Sequence, residues 1–315
     1  MKVGKLKNDE LEQLILSKFK SVRREVQCPP HVGVDCARVS LDGTCVLSSD
    51  PITAAESRIG YLTVHVNCND AAAAGAEPIG LMITLLAPPS ATYEDLGKIA
   101  DELAEAAAAA NVDILGGHTE ITPAVNQIIT SATVIGKPYV GYDDTVHEGD
   151  YLLMTKTAGL EGSALLANDK ADLLGLSDDE LTCAREMLNS ISVIPEGLFA
   201  ASHGAHAMHD ITEGGVLGAV WEMAYCAGVG CVIEKDSIPI HPVTRKICEK
   251  LGLDPYRLLS SGSMLISCAD GEAMKTGLES VGIKATIIGR LGGENICDSE
   301  GNIITPPEAD ELYKV

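Results

Sequence analysis

A chain of 315 residues is long enough for two medium domains or one large one. Its formal charge of −22 argues against nucleic acid and anionic membranes as partners, because both would be repelled. Apolar residues make up 46% of the chain and aromatics only 3%, so a sizeable core is expected, built from Ala, Val, Ile, Leu and Met.

The opening stretch MKVGKLKNDELEQLILSKFK sets Leu11, Leu14, Ile15 and Phe19 on one helix face and holds no unbroken apolar core of signal-peptide type. No apolar run approaches the ~20 residues of a membrane span, and a soluble cytoplasmic protein is expected. A β-like run, CVLSSD (45–50), ends at Pro51. A second, GYLTVHVN (60–67), leads into Ala-rich NDAAAAGAEP, read as a short buried helix stopped by Gly75 and Pro78. IGLMITLLAPP reads as a buried strand. TYEDLGKIADELAEAAAAAN reads as a long helix, with Thr92 as N-cap and Asp95 close to a capping box. VDILGGHTEI reads as a strand, a Gly-Gly turn and polar residues, and NQIITSATVIG as another strand.

The segment 136–150, rich in Gly, Pro and Asp, marks a break, and a second cycle follows. YLLMTK is a strand, SDDELTCAREMLN a helix with Ser177 and Glu180 in a capping box, and IPEGLFAASHGA a helix leading to HDITEGG and a further helix. CVIEKDSIPI is a strand, HPVTRKICEKLG a helix, and SMLISC and KATIIGRL are strands. Two α/β domains are expected, over about 1–147 and 148–315. Ten cysteines without a C-x-x-C pair argue against a structural zinc site or a secreted disulfide frame, and most are read as small buried residues.

Four acids stand out. Asp35 follows Gly33 in GVDCA, Asp50 ends a strand before a proline, Asp70 with Asn69 beside it stands at a helix start, and Asp210 precedes Gly214 and Gly215. Acids at strand ends and helix starts face the crevice where α/β proteins bind ligands, and Mg²⁺ takes carboxylate oxygens while sharing its shell with phosphate and water. Each acid has a structural alternative: a turn residue for Asp35, a strand stop for Asp50, an N-cap for Asp70. In LGGHTE, Gly116 and Gly117 offer unobstructed N–H groups, Thr119 a hydroxyl, His118 a hydrogen bond or proton transfer, and Glu120 a further carboxylate. A simple tight turn is the alternative. In DITEGG the helix start favours an anion, Asp210 repels one, and a metal between them removes the conflict, so Asp210, Thr212, Gly214 and Gly215 are read as a place for metal-bound phosphate. Capping by Thr212 or Glu213 is the alternative. His203, His206 and His209 lie close in sequence, without matched ligand spacing elsewhere, and Trp221 is read as core. Neither a P-loop nor a G-x-G-x-x-G fingerprint is present.

These motifs, in this order, resemble the superfamily of aminoimidazole ribonucleotide (AIR) synthase, selenophosphate synthetase, thiamine monophosphate kinase and the hydrogenase maturation protein HypE. GVDCA is similar to its early G-[DE]-D-A-A loop, VNCNDAAAAGAEP to its N-x-N-D segment, LGGHTE to its G-G-[DEH]-T loop, HDITEGGVLGAVWEMA to its D-[IVP]-T-x-G-G-L segment, and LLSSGSMLI to its late S-x-G-[ST] strand entry. The resemblance covers about residues 30–290. It implies a two-domain PurM-like α/β (α+β) fold, in which an N-terminal mixed-sheet domain dimerises through its sheet and a C-terminal α/β domain follows. It further implies ATP in a cleft between domains completed by the partner subunit, with Asp35, Asp50 and Asp70 holding Mg²⁺ on the phosphates and residues 116–119 and 210–215 lining the same cleft. The typical chemistry phosphorylates an oxygen, sulfur or selenium atom.

Departures narrow the branch. The chain ends DELYKV, with its last cysteine at Cys297, where HypE carries its substrate group on a terminal cysteine. DPIT lacks the lysine of AIR synthase. KVGKLKN supplies Gly4 and Lys5 without the Gly-rich arm of selenophosphate synthetase, and Cys28 stands alone beside Pro29 and Pro30. A HypE-like or AIR synthase-related enzyme with an unassigned acceptor is expected. The alternatives are a non-catalytic nucleotide-binding partner in a maturation complex and an acidic metal-binding protein without nucleotide. Cys36, inside the Asp35 loop, is read as small rather than reactive.

Overall fold

The computed structural model of the protein describes residues 1–28, 30–32, 36–53, 55, 57–142, 144–307 and 309–315, with Cys28 described by its backbone alone. The chain divides into two compact units, one of residues 1–71 and 76–138, the other of residues 72–75 and 139–315.

The first unit runs β1 (Gly4–Lys5), α1 (Asn8–Leu14), β2 (Val26–Cys28), β3 (Arg38–Val39), β4 (Val46–Ile52), α2 (Ile59–Ala73), β5 (Ala76–Ala87), α3 (Tyr93–Ala110), β6 (Asp113–Ile121) and β7 (Ile129–Pro138). Its five-stranded sheet has the order β1-β6-β5-β7-β4. Only the β5–β6 pair is parallel; β1–β6, β5–β7 and β4–β7 are antiparallel, which makes the sheet mixed. On α3, Thr92 accepts the Asp95 N–H and the Asp95 side chain answers the Thr92 N–H, the capping box expected. Leu96, Ile99, Leu103 and Ala107 give α3 its buried stripe.

Three sequence expectations change here. Residues 60–67 are helix, not strand. α2 is buried almost all round, with Leu62, Val64, Cys68 and Ala71 fully enclosed, so it shows no polar face, and an apolar run of that kind cannot be told from a buried strand by periodicity. Its Val and Thr residues lean towards β, but burial overrides them. Gly60 lets α2 close on α3, since a Cβ there would lie 2.4 Å from the Ile99 carbonyl oxygen. Secondly, Pro51 does not end β4. The strand continues through it, with Pro51 opposite Ser131, because β4 is an edge strand and an edge has no use for the missing N–H. Thirdly, Gly116 and Gly117 do not form a turn; β6 runs straight through them.

The second unit runs β8 (Tyr151–Thr155), α4 (Leu160–Asp169), α5 (Ala171–Leu174), α6 (Asp178–Glu186), α7 (Ile194–Ser202), β9 (Ala205–Ile211), α8 (Gly215–Ala227), β10 (Cys231–Ile233), α9 (Pro242–Leu251), β11 (Ser263–Cys268), α10 (Gly271–Ser280), β12 (Ala285–Leu291) and β13 (Ile296–Asp298). Its sheet has the order β13-β10-β12-β8-β11-β9. Both faces are covered. Leu152 and Met154 join Val216, Val220 and Met223 of α8 on one side, while Leu153 joins Ala200 of α7 and Met274 and Leu278 of α10 on the other. Burial on both faces makes β8 a continuous apolar run rather than an alternating one. The Ser177–Glu180 capping box forms as expected. β10 stops at Ile233, well short of the strand expected through residue 240. β9, α4 and α10 were not anticipated. Among the described residues no helix is long and apolar enough to cross a membrane.

Candidate functional site

In the first unit the site is built around the glycine pair of β6. Gly116 and Gly117 have φ of +150° and +148°, and the β5–β6 register slips between Leu81 and Met82. A Cβ on Gly117 would lie 1.6 Å from the Ile83 carbonyl oxygen, whereas one on Gly116 would meet only the Met82 thioether at 3.7 Å. Gly117 is therefore a packing requirement, and Gly116 keeps a surface open. Gly116 lines a cavity of about 310 Å³, together with apolar residues that include Leu11, Ile15 and Leu103 and polar ones that include Lys5, Cys36, His118 and Thr119. Lys5 stands opposite Glu120 in the β1–β6 pairing, and His118 Nε2 lies 3.2 Å from Glu120 Oε2. Cys36 is exposed, unlike buried Cys68, Cys231, Cys248 and Cys268.

The acids of this unit line the seam between β4 and α2. Ser48 and Asp50 share one face of β4. The Ser48 hydroxyl donates to Asp70 Oδ2 at 2.6 Å. Asn67 accepts the Asp50 N–H at 2.9 Å and donates to the Asp50 carbonyl oxygen at 3.3 Å. Asn67 is the first Asn of N-x-N-D, and only the fold shows that it pins Asp50. Asn69 is wholly buried. Asp70 is in the last turn of α2, not at a helix start, which removes the N-cap alternative. The C-terminal end of a helix carries partial negative charge, so a carboxylate there gains from a cation. Two half-buried carboxylates on one seam suit Mg²⁺, which takes one or two carboxylates and completes its shell with phosphate and water. Gly117 pairs with Ile83, Ile83 with Ala132 and Ala132 with Asp50, so glycine pair and acids share one row of the sheet, three strand spacings or about 14 Å apart. Asp35 lies outside the described residues.

In the second unit, Asp210 is buried near the end of β9, with His209 Nδ1 3.9 Å away. His209 Nε2 also meets Glu222 at 3.1 Å. Burial lowers the His209 pKa, but Glu222 and Asp210 outweigh it and hold the imidazole above its ordinary value. The Thr212 carbonyl accepts the Gly215 N–H at 3.1 Å. The anion at the start of α8 is the chain's own: Asp310 Oδ2 takes the Gly214 N–H at 2.8 Å. The glycines serve a close approach by the chain itself. A Cβ on Gly215 would lie 2.6 Å from the Tyr256 carbonyl oxygen, and one on Gly214 2.7 Å from Pro307. Burial raises the Asp310 carboxyl. It also pushes the Glu161 carboxyl up to about 7, with Ser261 opposing and Asp310 and Glu213 adding. His203, His206 and His209 do not converge: His203 stacks on Phe199, His209 turns to Glu222 and His206 to Asp150. Trp221 is only partly buried and stacks on Tyr225.

Comparison with known proteins shows the family. The AIR synthase related protein N-terminal domain matches residues 33–137, and the corresponding C-terminal domain matches residues 147–300. A putative hydrogenase expression/formation protein of Methanocaldococcus jannaschii is 32% identical over 218 residues, 68% of this chain. That match spans 63% of the archaeal protein, less than two thirds of its length. Carbamoyl dehydratase HypE of Rhodobacter capsulatus is 28% identical over 306 residues, 93% of this chain and 87% of that one. A crystal structure of hydrogenase maturation protein HypE in complex with ATP shares the fold at a TM-score of 0.78, with 21% identity over 96% of both chains. The chain belongs to the AIR synthase related family, within its HypE-like branch.

Proposed function

We propose that the protein is an Mg-ATP-dependent enzyme that phosphorylates an acceptor atom to activate it, and that the acceptor is a carbonyl or carbamoyl oxygen. The observation that carries this reading is the cavity of about 310 Å³ lined both by apolar residues such as Leu11, Ile15 and Leu103 and by polar ones such as Lys5, His118 and Thr119. Such a space suits a flat, largely apolar base, with phosphates leaving past Gly116 towards backbone N–H groups. In a chain of charge −22, the phosphates also need cations, and Asp50 and Asp70 are the described acids suited to hold them. Magnesium there would neutralise the triphosphate and orient it. Asp35 of the same motif set is proposed with them. Support from relatives is of two kinds: one carries ATP in its crystal structure, and another is named a carbamoyl dehydratase.

The chemistry balances simply. The acceptor oxygen attacks the γ-phosphorus, the bond to the bridging oxygen breaks, and ADP leaves with that electron pair. For a carbamoyl acceptor, the phosphorylated oxygen then departs as phosphate, and the nitrogen gives up both protons as the nitrile forms. His118, 3.2 Å from Glu120, is proposed to take one of them. Phosphoryl transfer of this kind depends mainly on positioning and charge neutralisation.

The row between Gly117 and Asp50, about 14 Å, is near the full reach of one triphosphate with its cations. We attribute the joining of the two parts to a second copy of the chain, paired through this sheet. Asp210 is proposed as a supporting acid; with Gly214 bonded to Asp310, Asp210→Asn separates a catalytic from a structural part. The test is ADP release with carbamoyl-bearing and other acceptors, alongside ATP binding by calorimetry, for wild type and Asp70→Asn. Loss of turnover by about 100-fold or more in Asp70→Asn is expected, the scale on which one charge-stabilising group acts. Equal turnover would remove the metal site from the reading. Tight ATP binding without ADP release under every acceptor would instead select the non-catalytic nucleotide-binding partner.

A further inference from the structure

In the second unit, one group of side chains has donor atoms placed for a cation. His147, Asp150 and His206 each offer a ligand atom, and these atoms lie within 4.8 Å of one another, the one such trio among the described residues. His147 and Asp150 belong to the turn that enters β8, where Gly149 has φ +92°. His206 lies on β9, an edge strand, and its carbonyl accepts the Thr145 N–H at 2.8 Å, closing the turn onto the strand. The two imidazole rings are 4.2 Å apart between centroids.

The carboxylate is buried and held. The Ser267 hydroxyl reaches Asp150 Oδ2 at 2.6 Å and the His147 N–H reaches it at 3.0 Å. His206 Nδ1 lies 3.0 and 2.9 Å from its two oxygens. Burial works against the charged form, but the bonds from Ser267, His206 and His147 outweigh it and keep the carboxyl below its ordinary value. A buried anion is thus fixed beneath two imidazoles, one exposed and one half-buried.

We propose that His147, Asp150 and His206 bind a borderline divalent transition-metal cation of the Zn²⁺ or Ni²⁺ type. Two imidazoles and one carboxylate suit those ions rather than Mg²⁺, which prefers oxygen throughout. In the metal-bound form His206 Nδ1 turns from the carboxylate to the cation, and the neutral ring carries its hydrogen at Nε2. With metal–ligand bonds of about 2.0–2.2 Å, neighbouring donors in a tetrahedral site stand about 3.3 Å apart. The His206–Asp150 spacing therefore opens by a few tenths of an ångström, and exposed His147 closes inward. A fourth position is left for water. Ser267 orients the carboxylate from behind, the support a ligand shell requires.

The competing account makes Asp150 a clamp for its turn and nothing more. Calorimetric titration of the full chain with Zn²⁺, in buffer free of ATP and Mg²⁺, separates the two, with Co²⁺ absorption as a readout of coordination. His147→Ala and His206→Ala are compared with wild type and with His203→Ala, and circular dichroism checks folding. Asp150→Asn is avoided because it also unclamps the turn. One ion per chain is expected, weakened at least about tenfold by either ligand variant, unchanged in His203→Ala, and giving the strong visible absorption of low-coordinate Co²⁺. Equal Zn²⁺ affinity in wild type and the His147→Ala/His206→Ala double variant overturns the proposal, as does an equal loss in His203→Ala.

Discussion

The N–H of Gly214 donates to Oδ2 of Asp310, 96 residues further along the chain, at 2.8 Å. Read from sequence, the glycine pair before α8 invites an external anion. The fold supplies an internal one. The other oxygen of the same carboxylate takes the N–H groups of Leu259 at 3.2 Å and Leu312 at 2.8 Å. One buried acid therefore ties the final segment to the start of α8 and to the stretch before β11. Asp310→Ala strands three donors, and buried donors without partners are costly. A loss of about 3 kcal/mol or more is expected in urea unfolding, with Asp310→Asn, which keeps one acceptor oxygen, losing less.

Glu161 makes the same region sensitive to pH. Its carboxyl is pushed up to about 7 from an ordinary 4.5, by burial first, with Asp310 and Glu213 adding. Between those values the native protein binds a proton that the unfolded chain has released. Stability therefore falls as pH rises through this window, and the loss is complete above about 7. A shift of this size corresponds to about 3 kcal/mol. Unfolding midpoints measured from pH 5 to pH 8 should show that decline, and Glu161→Gln should flatten it and be the more stable protein at pH 8. A decline of the same slope in Glu161→Gln would place its origin elsewhere.

The contrast between what could and could not be read from sequence follows from where the information is held. Thr92–Asp95 and Ser177–Glu180 are local, three residues apart, and their caps were legible. The order of acid and glycine motifs was legible for a similar reason, since spacing along the chain survives without knowledge of the fold. The first part of α2, residues 60–67, was not legible, because a helix enclosed on all sides carries no 3.6-residue signature, whereas its Ala-rich end was read as buried helix. Neither was the role of Gly215, whose neighbours Tyr256 and Arg257 are distant in sequence. The same holds for Asn67, whose bonds to Asp50 span a strand and a helix. His206 was noticed for the wrong neighbours. Its partners, His147 and Asp150, lie in a turn some 60 residues earlier.

Gly116 and Gly117 separate structure from ligand. On Gly117 an added Cβ collides with the Ile83 carbonyl oxygen at 1.6 Å, which no side-chain movement relieves. Gly117→Ala should break the β5–β6 pairing there and destabilise by about 3 kcal/mol or more. On Gly116 the same atom meets only the flexible end of Met82, so the cost is the positive φ alone, about 1–3 kcal/mol. Gly116→Ala should therefore stay folded while weakening ATP, measured by calorimetry. ATP affinity equal to wild type in a folded Gly116→Ala would move the phosphates away from this strand.

If the glycine mouth of one copy works with Asp50 and Asp70 of another, variants in the two parts should rescue each other. Asp70→Asn and Gly116→Ala are each expected to be poor in ADP release. Unfolded and refolded together in equal amounts, half of the dimers carry one copy of each. In such a dimer one of the two sites receives both defects and the other neither. Half the dimers with half their sites intact gives about a quarter of wild-type turnover. Each variant refolded alone should stay at its own low level. A mixture no better than the mean of its two components would mean that Gly116 and Asp70 act within a single chain, and that the 14 Å row is crossed without a partner.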